Sequence, residues 1–219
     1  VKEASETIKT ALREAFNGKW IPRAWVSEKY GFVGDENEFL MEGQPWTLVS
    51  RALRDEQARA LIDTMNELVM KPSPIGAAKQ RLSLEAEENG AVSHDGWVWW
   101  ALNGPLIWGL MNYDPELAYT EYVKNSLAVH AEVYPDIWFG IWSNSDNYTS
   151  FLSKYPGYSR FDYGIIEERE KMLEGEVVEH PQNCGMDWPV GVMHPHAWPL
   201  ECIFKLLRAN FRKDGVEFS

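Results

Sequence analysis

The spacing of apolar residues along the chain predicts a mainly helical protein. Apolar positions from Ser5 to Phe16 recur three and four residues apart, and Asn17-Gly18 follows them as a helix stop. A second helix is predicted from Pro45 to about Met70, because proline suits the first helical turn and Lys71-Pro72 ends the pattern. The almost wholly apolar stretch from Trp97 to Leu110 predicts a buried helix.

The second half of the chain predicts three further helices. Asp114 is a suitable N-cap before Pro115, and that helix should reach about His130. The others are expected from Phe161 to Leu173 and from Trp198 to Asn210. About six helices, with long aromatic loops gathered at one end, favour an (α/α)6 barrel or about half of one, since a closed barrel needs about twice as many helices.

Charge excludes two classes of partner. The chain carries a net charge of -12 at pH 7, so phosphate backbones and anionic membrane surfaces should be repelled. We therefore expect no nucleic-acid partner and no membrane partner. The two cysteines, Cys184 and Cys202, are too few for a disulfide scaffold, which favours reduced thiols and a cytoplasmic location.

Tryptophan is the unusual feature of the composition, with 11 residues in 219. A buried indole N–H needs a hydrogen-bond partner, so tryptophan is a poor choice for routine core filling. Flat apolar plates beside polar groups suit the C–H face of a sugar ring. The alternative is a large helical core that happens to use tryptophan, and composition alone does not separate the two interpretations.

The first candidate site lies between Trp20 and Trp46. Arg23 can form bidentate hydrogen bonds, Trp25 and Trp46 offer plates, and Gln44 offers an amide, which together suit a sugar subsite. The alternative is a solvated acidic loop with one structural arginine, and this is our interpretation for most of the acids around Glu38.

Two segments further along combine acids, histidines and tryptophans. Glu88, His94 and Trp97 precede a predicted helix whose first N–H groups favour an anion, although His94 could equally cap that helix. Asp136 and Trp138 follow in a loop rich in aromatic residues.

The last candidate segment holds Asp187, Trp188, His194 and His196. The His-x-His pair invites a metal site, but no third histidine or cysteine stands at a familiar ligand spacing. We therefore predict hydrogen bonding for these histidines and no metal.

Short segments of the chain occur in the same order as motifs of the cellobiose phosphorylase family, which the chain therefore resembles. Each segment is short, so their common order over most of the chain is what makes the resemblance specific. The segments are Trp20 to Trp25, Asn37-Glu38, Gln44-Pro45-Trp46, Glu88-Asn89-Gly90 with His94 and Trp97, Asp187-Trp188-Pro189, and His194-x-His196-Ala197.

The resemblance implies an (α/α)6 barrel of which residues 1–219 are the C-terminal portion. The general acid would then lie in the missing N-terminal half, which is an expected partner. It also implies inverting phosphorolysis of β-linked gluco-oligosaccharides to a sugar 1-phosphate, with inorganic phosphate as co-substrate and no resident cofactor. The expected phosphate-binding residues are His94, His194 and His196; the expected substrate-binding residues are Arg23, Trp25, Gln44, Trp46, Trp97, Trp138, Asp187 and Trp188.

Two alternatives stay open, because Trp198 follows His-x-His-Ala where the family has glutamine and no Thr-Gly-Ser segment follows. An inverting glycoside hydrolase would need a catalytic base, with Glu38, Glu88 and Asp136 as candidates. A non-catalytic glycan-binding module would need only the tryptophan plates. Self-association as a homodimer is compatible with each of these functions.

Overall fold

Helices dominate the computed structural model, which describes residues 1–90, 96–137, 146–153, 155–158 and 194–218. The predicted mainly helical class is confirmed. The described part contains eight α-helices: α1 (Lys2–Ala15), α2 (Gln44–Val49), α3 (Asp55–Met65), α4 (Leu84–Glu88), α5 (Trp100–Leu110), α6 (Pro115–Lys124), α7 (Leu127–Val133) and α8 (His194–Leu206).

Four small antiparallel sheets of two strands each accompany the helices in the described residues. The pairs are β1 (Ala24–Ser27) with β2 (Gly31–Val33), β3 (Glu38–Leu40) with β4 (Gln80–Leu82), β5 (Val98–Trp99) with β6 (Asn147–Tyr148), and β7 (Ala209–Arg212) with β8 (Gly215–Phe218). Three of the strands, β1 to β3, lie between the first two predicted helices, where no element was predicted, because pairing with other segments stabilises runs too short to show alternation.

Helix α5 lies at the centre of the core, in contact with α2, α6 and α8. It has no polar face, as expected for a helix surrounded by others. Asn103 is its buried polar residue; its Oδ1 accepts from the Ala77 N–H at 2.8 Å, and its Nδ2 donates to the Ala77 and Trp99 carbonyls at 3.0 and 2.9 Å. Its glycines bring the neighbouring helices close, since a Cβ at Gly109 would stand 2.8 Å from Leu48 Cβ.

Helix α8 runs in the same direction as α5. His194, its first residue, contacts Asp146 next to β6, and β6 pairs with β5 just before α5 begins. Further along, Cys202 lies 3.7 Å from the Gly104 carbonyl, and the Lys205 Nζ lies over the Trp108 ring. Both helices therefore begin at the same end of the layer, and the β5–β6 sheet lies at that end.

The structure corrects the predicted bounds of four helices, one of which, predicted to start at Trp97, begins at Trp100. The helix predicted from Pro45 to Met70 is broken after Val49, because Arg51 adopts a left-handed backbone with φ 48°. The helix that begins after Asp114 stops at Lys124, and Ser126 caps a new one by accepting from the Val129 N–H at 3.2 Å.

The helix predicted from Trp198 to Asn210 instead spans His194–Leu206. A left-handed Arg208 then turns the chain into the β7–β8 hairpin. The first predicted helix is confirmed as α1, and Asp114 caps α6 as predicted. The predicted helix from Phe161 to Leu173 lies outside the described residues.

Within the described residues, no helix combines the length and the apolar character that crossing a membrane requires. Cys202 is buried and reduced between α5 and α8, whereas Cys184 lies outside the described residues.

Candidate functional site

Backbone hydrogen bonds join parts of three of the four candidate segments into one band, called here the end strip. It consists of β3–β4, Lys79, Gly96–Trp97 and β5–β6. The Met41 N–H donates to the Lys79 carbonyl at 2.8 Å, and the Lys79 N–H donates to the Trp97 carbonyl at 2.9 Å. Residues far apart in sequence, among them Glu38, Trp97 and Asn147, thus belong to one structure at the end where α5 and α8 begin.

Two tryptophans and a lysine form the centre of the end strip. The Lys79 Nζ lies 4.9 Å from the Trp97 ring centroid and 5.1 Å from that of Trp99. The two rings are 6.3 Å apart and inclined by 35°. Both are partly exposed, while Val98 and Trp100 on the opposite face are buried. The strip therefore presents aromatic surface and a cation together.

Trp97 was predicted as a site residue from the sequence, whereas Trp99 and Lys79 were not. Alternating burial over residues 97–100 is the signature of a short strand, in which positions two apart share a face. All four of these residues are apolar, so the alternation is not visible in the sequence. The whole run was therefore predicted to be helical from Trp97 onward.

A histidine and a carboxylate meet at the start of α8. The His194 Nδ1 lies 3.2 Å from the Asp146 Oδ1, and the carboxylate is mostly buried while the imidazole is half exposed. A carboxylate can only accept, so Nδ1 carries the hydrogen and Nε2 is left for a ligand or a proton. Such an oriented imidazole can serve as a hydrogen-bonding group or as a base.

An ion pair joins β4, one strand of the end strip, to helix α4. Arg81, in β4, donates from Nε and Nη2 to both Glu87 carboxylate oxygens at 3.1 and 2.9 Å. Its Nη1 donates to the Leu68 carbonyl at 3.0 Å, and its guanidinium lies 5.4 Å from the Phe151 ring centroid. This pair fixes α4, and with it Glu88, relative to β4.

The three candidate catalytic acids occupy different surroundings. Glu38 is partly buried at the first position of β3, within the end strip. Glu88 is exposed at the last position of α4, and Asp136 is exposed shortly after α7.

Gln44 requires a correction. It is buried, its Nε2 donates to the carbonyls of Ile21 and Leu40 at 2.6 and 3.1 Å, and its Oε1 accepts from the Ile21 N–H at 3.2 Å. Backbone groups engage both ends of the amide, so Gln44 has a structural role here in place of the expected sugar contact.

Trp46 also lies away from the other candidates. It is half exposed and meets Trp108 edge to face, with ring centroids 6.3 Å apart. Trp108 follows the start of α5 by eight residues, which is about 12 Å along a helix axis. Trp46 is therefore near the opposite end of α5 from the end strip.

The remaining residues of the first candidate segment are exposed on or next to the β1–β2 hairpin. Arg23 forms an ion pair with Glu42 at 2.6 Å, and Trp25 packs against Phe32 with centroids 4.9 Å apart. His196 is exposed in the first turn of α8. Four predicted site residues, His94, Trp138, Asp187 and Trp188, lie outside the described residues.

Among the described residues, no group of three or more His, Cys, Asp or Glu side chains is placed to hold a metal ion. Comparison with protein-family models, with curated proteins and with solved structures gives no match for this chain.

Proposed function

We propose that this chain is part of an enzyme acting on β-linked gluco-oligosaccharides, and that a sugar binds at the end strip. The observation that carries the proposal is the partly exposed Trp97–Lys79–Trp99 group at the end of the layer that also holds the Asp146–His194 pair. Indole faces suit the C–H face of a pyranose, and a nearby cation and imidazole suit its hydroxyl groups.

Inorganic phosphate is the nucleophile we propose. Helices α5 and α8 both begin at this end, so the positive ends of their dipoles favour an anion there. The half-exposed His194 can add a charge-assisted hydrogen bond. A phosphate oxygen would attack the anomeric carbon as the glycosidic C–O bond breaks, and a general acid would protonate the leaving oxygen.

The proposed architecture is about half of an (α/α)6 barrel. Parallel α5 and α8, with the strip at their common N-terminal end, agree with helices whose loops gather at one face. In this proposal the other half of the barrel supplies the general acid.

A hydrolase is the second candidate function, and the place of Glu38 favours it. Water needs a base, and Glu38 is the candidate carboxylate that lies within the end strip and is partly buried. Phosphate is already an anion and needs no base.

Binding is tested by titrating the chain with β-linked gluco-oligosaccharides in a calorimeter. Replacing Trp97 or Trp99 by alanine should weaken binding about tenfold, since a stacked aromatic contributes about 1.5 kcal/mol. Trp46→Ala is the matched control, because Trp46 is a half-exposed tryptophan near the opposite end of α5. If the Trp46 and Trp97 variants lost affinity for the oligosaccharide equally, the end strip would be excluded as the sugar site.

Turnover of the complete enzyme separates the reaction types. Phosphorolysis requires that product appear only with phosphate and that it be a sugar 1-phosphate. Free reducing sugar without phosphate would instead support the hydrolase, and Glu38→Gln should then abolish it. Saturable binding with no turnover under either condition would leave a glycan-binding module.

A further inference from the structure

A pocket of about 200 Å³ lies near the C-terminal ends of α5 and α8, away from the end strip. Three cationic side chains, Arg51, Lys205 and Arg208, line it together with Trp108 and Asn112, and its lining contains no carboxylate. The excess of positive charge in this pocket contrasts with the net charge of -12 of the whole chain.

The structure holds each cation by different contacts. The Arg51 Nη2 donates to the Asn112 Oδ1 at 2.9 Å, and the Asn112 Nδ2 donates to the Leu48 carbonyl at 3.1 Å. The Lys205 Nζ lies 4.4 Å from the Trp108 ring centroid and forms a partly exposed ion pair with Glu201 at 2.9 Å. Within the described part of the chain, no hydrogen bond or ion pair engages the Arg208 guanidinium.

Backbone conformation adds an independent observation. Among the described non-glycine residues, Arg51 and Arg208 are the two with positive φ, at 48° and 53°. Both residues lie just after a helix, where the left-handed position is usually taken by glycine, so an arginine there costs conformational energy that glycine avoids. Both left-handed residues line the same pocket.

Complementing the helix dipoles is the simpler explanation for cations at this end. It fits Lys205, which lies in the last turn of α8. Arg51 follows Ser50, the C-cap of α2, but its guanidinium donates to the Asn112 amide and to no helix-end carbonyl of the described residues. The same explanation does not account for Arg208, whose guanidinium bonds no helix-end carbonyl of the described residues.

We propose that this pocket binds a phosphate group, either free or carried by a small metabolite such as a sugar phosphate. Guanidinium groups match phosphate oxygens in pairs, and the lysine adds a point charge. The small volume and the acidic surroundings select a compact anion over a polyanion. The pocket is separate from the end strip, so the proposal does not depend on the proposed function.

Calorimetric titration of the chain with inorganic phosphate at constant ionic strength tests the proposal, and saturable binding is expected. Arg208→Asn should weaken it about tenfold or more, because asparagine tolerates the left-handed backbone but removes the charge. Arg212→Asn is the matched control, since Arg212 is an exposed arginine of the neighbouring hairpin, paired with Glu217. The Kd of the Arg212→Asn variant for phosphate should stay within about twofold of that of the parent chain.

Two further measurements locate the site and identify the ligand. His194→Gln should leave phosphate binding in this pocket unchanged, whereas phosphate bound at the end strip would be lost. A higher affinity for glucose 6-phosphate than for inorganic phosphate would assign the pocket to a phosphate monoester, and the reverse order would assign it to free phosphate.

Folding of each variant is checked by circular dichroism and thermal unfolding. If Arg208→Asn does not fold, Lys205→Gln replaces it, with the same expected loss. The proposal is overturned by the absence of saturable binding, by equal losses in the Arg208 and Arg212 variants, or by loss of binding in His194→Gln alone.

Discussion

His130 illustrates at the residue scale what burial does to a titratable group. It is only 2% exposed, and its Nε2 donates to the Gly157 carbonyl at 2.7 Å. The rings of Tyr148 and Tyr134 lie 4.3 and 5.4 Å from it, between centroids. Burial lowers the pKa of His130 below its ordinary value of 6.5, although the bond to Gly157 acts in the opposite direction.

A lowered histidine pKa makes stability depend on pH. The unfolded chain binds a proton at a higher pH than the folded one, so the contribution of neutral His130 is complete above 6.5 and is lost as pH falls toward the folded pKa. We expect the free energy of unfolding to drop between about pH 7.5 and about pH 5.5, and His130→Asn to reduce that drop. Urea unfolding measures both.

The exposed His196 offers the matched control. His196→Asn should leave the pH dependence of unfolding as it is in the parent chain. A pH dependence that is the same in all three proteins would show that His130 is not its source.

Cys202 should be chemically inert in the folded chain. Burial between α5 and α8 raises the pKa of its thiol to about 12, so almost no thiolate exists at neutral pH. In a Cys184→Ser variant, a thiol reagent at about pH 8 should label less than about a tenth of the chains before urea is added, and nearly all afterwards. Fast labelling of the folded variant would contradict the buried position.

Residue roles at this scale were only partly predictable. The capping role of Asp114 followed from sequence, because an N-cap acts on its own helix. The structural role of Gln44 did not, because its partners Ile21 and Leu40 become known only once the chain has folded around them.

At the element scale, the contact between α5 and α8 depends on Gly104. A Cβ at this position would overlap the Trp198 indole. Gly104→Ala should therefore destabilise the fold by about 1–3 kcal/mol through overpacking, which exceeds the gain of up to about 1 kcal/mol in helix propensity. Denaturant unfolding measures the difference.

Gly43→Ala is the control for this substitution. Gly43 has φ -90° and no atom within 4 Å of an added Cβ, so alanine should be accepted at little cost. Equal stability of both alanine variants would mean that Trp198 moves aside easily and that the interface is loosely packed.

Helices were predictable wherever local signals agreed with tertiary packing. The apolar run behind α5 sufficed, because a helix with no polar face must be surrounded by others. The break at Arg51 was not predictable, because a left-handed arginine leaves no mark in the hydrophobic pattern. The strands β3 to β6 were not predicted either, because they are short and each pairs with a strand that is distant in sequence.

At the scale of the whole molecule, charge should govern which anions bind. The chain has a net charge of -12, and a duplex is too large for a 200 Å³ pocket. We expect no complex with a short DNA duplex in a gel-shift assay at about 0.15 M salt, even if phosphate itself binds. A saturable DNA complex that weakens steeply with salt would contradict this.

The sequence by itself determined the helical class, the central buried helix and the net negative charge. Each of these depends on composition or on contacts within a few residues. Tertiary structure alone decided that α5 and α8 run in the same direction, that Lys79 lies against Trp97 and Trp99, and that Asp146 meets His194. These contacts join segments that hold no information about one another until packing around α5 brings them together.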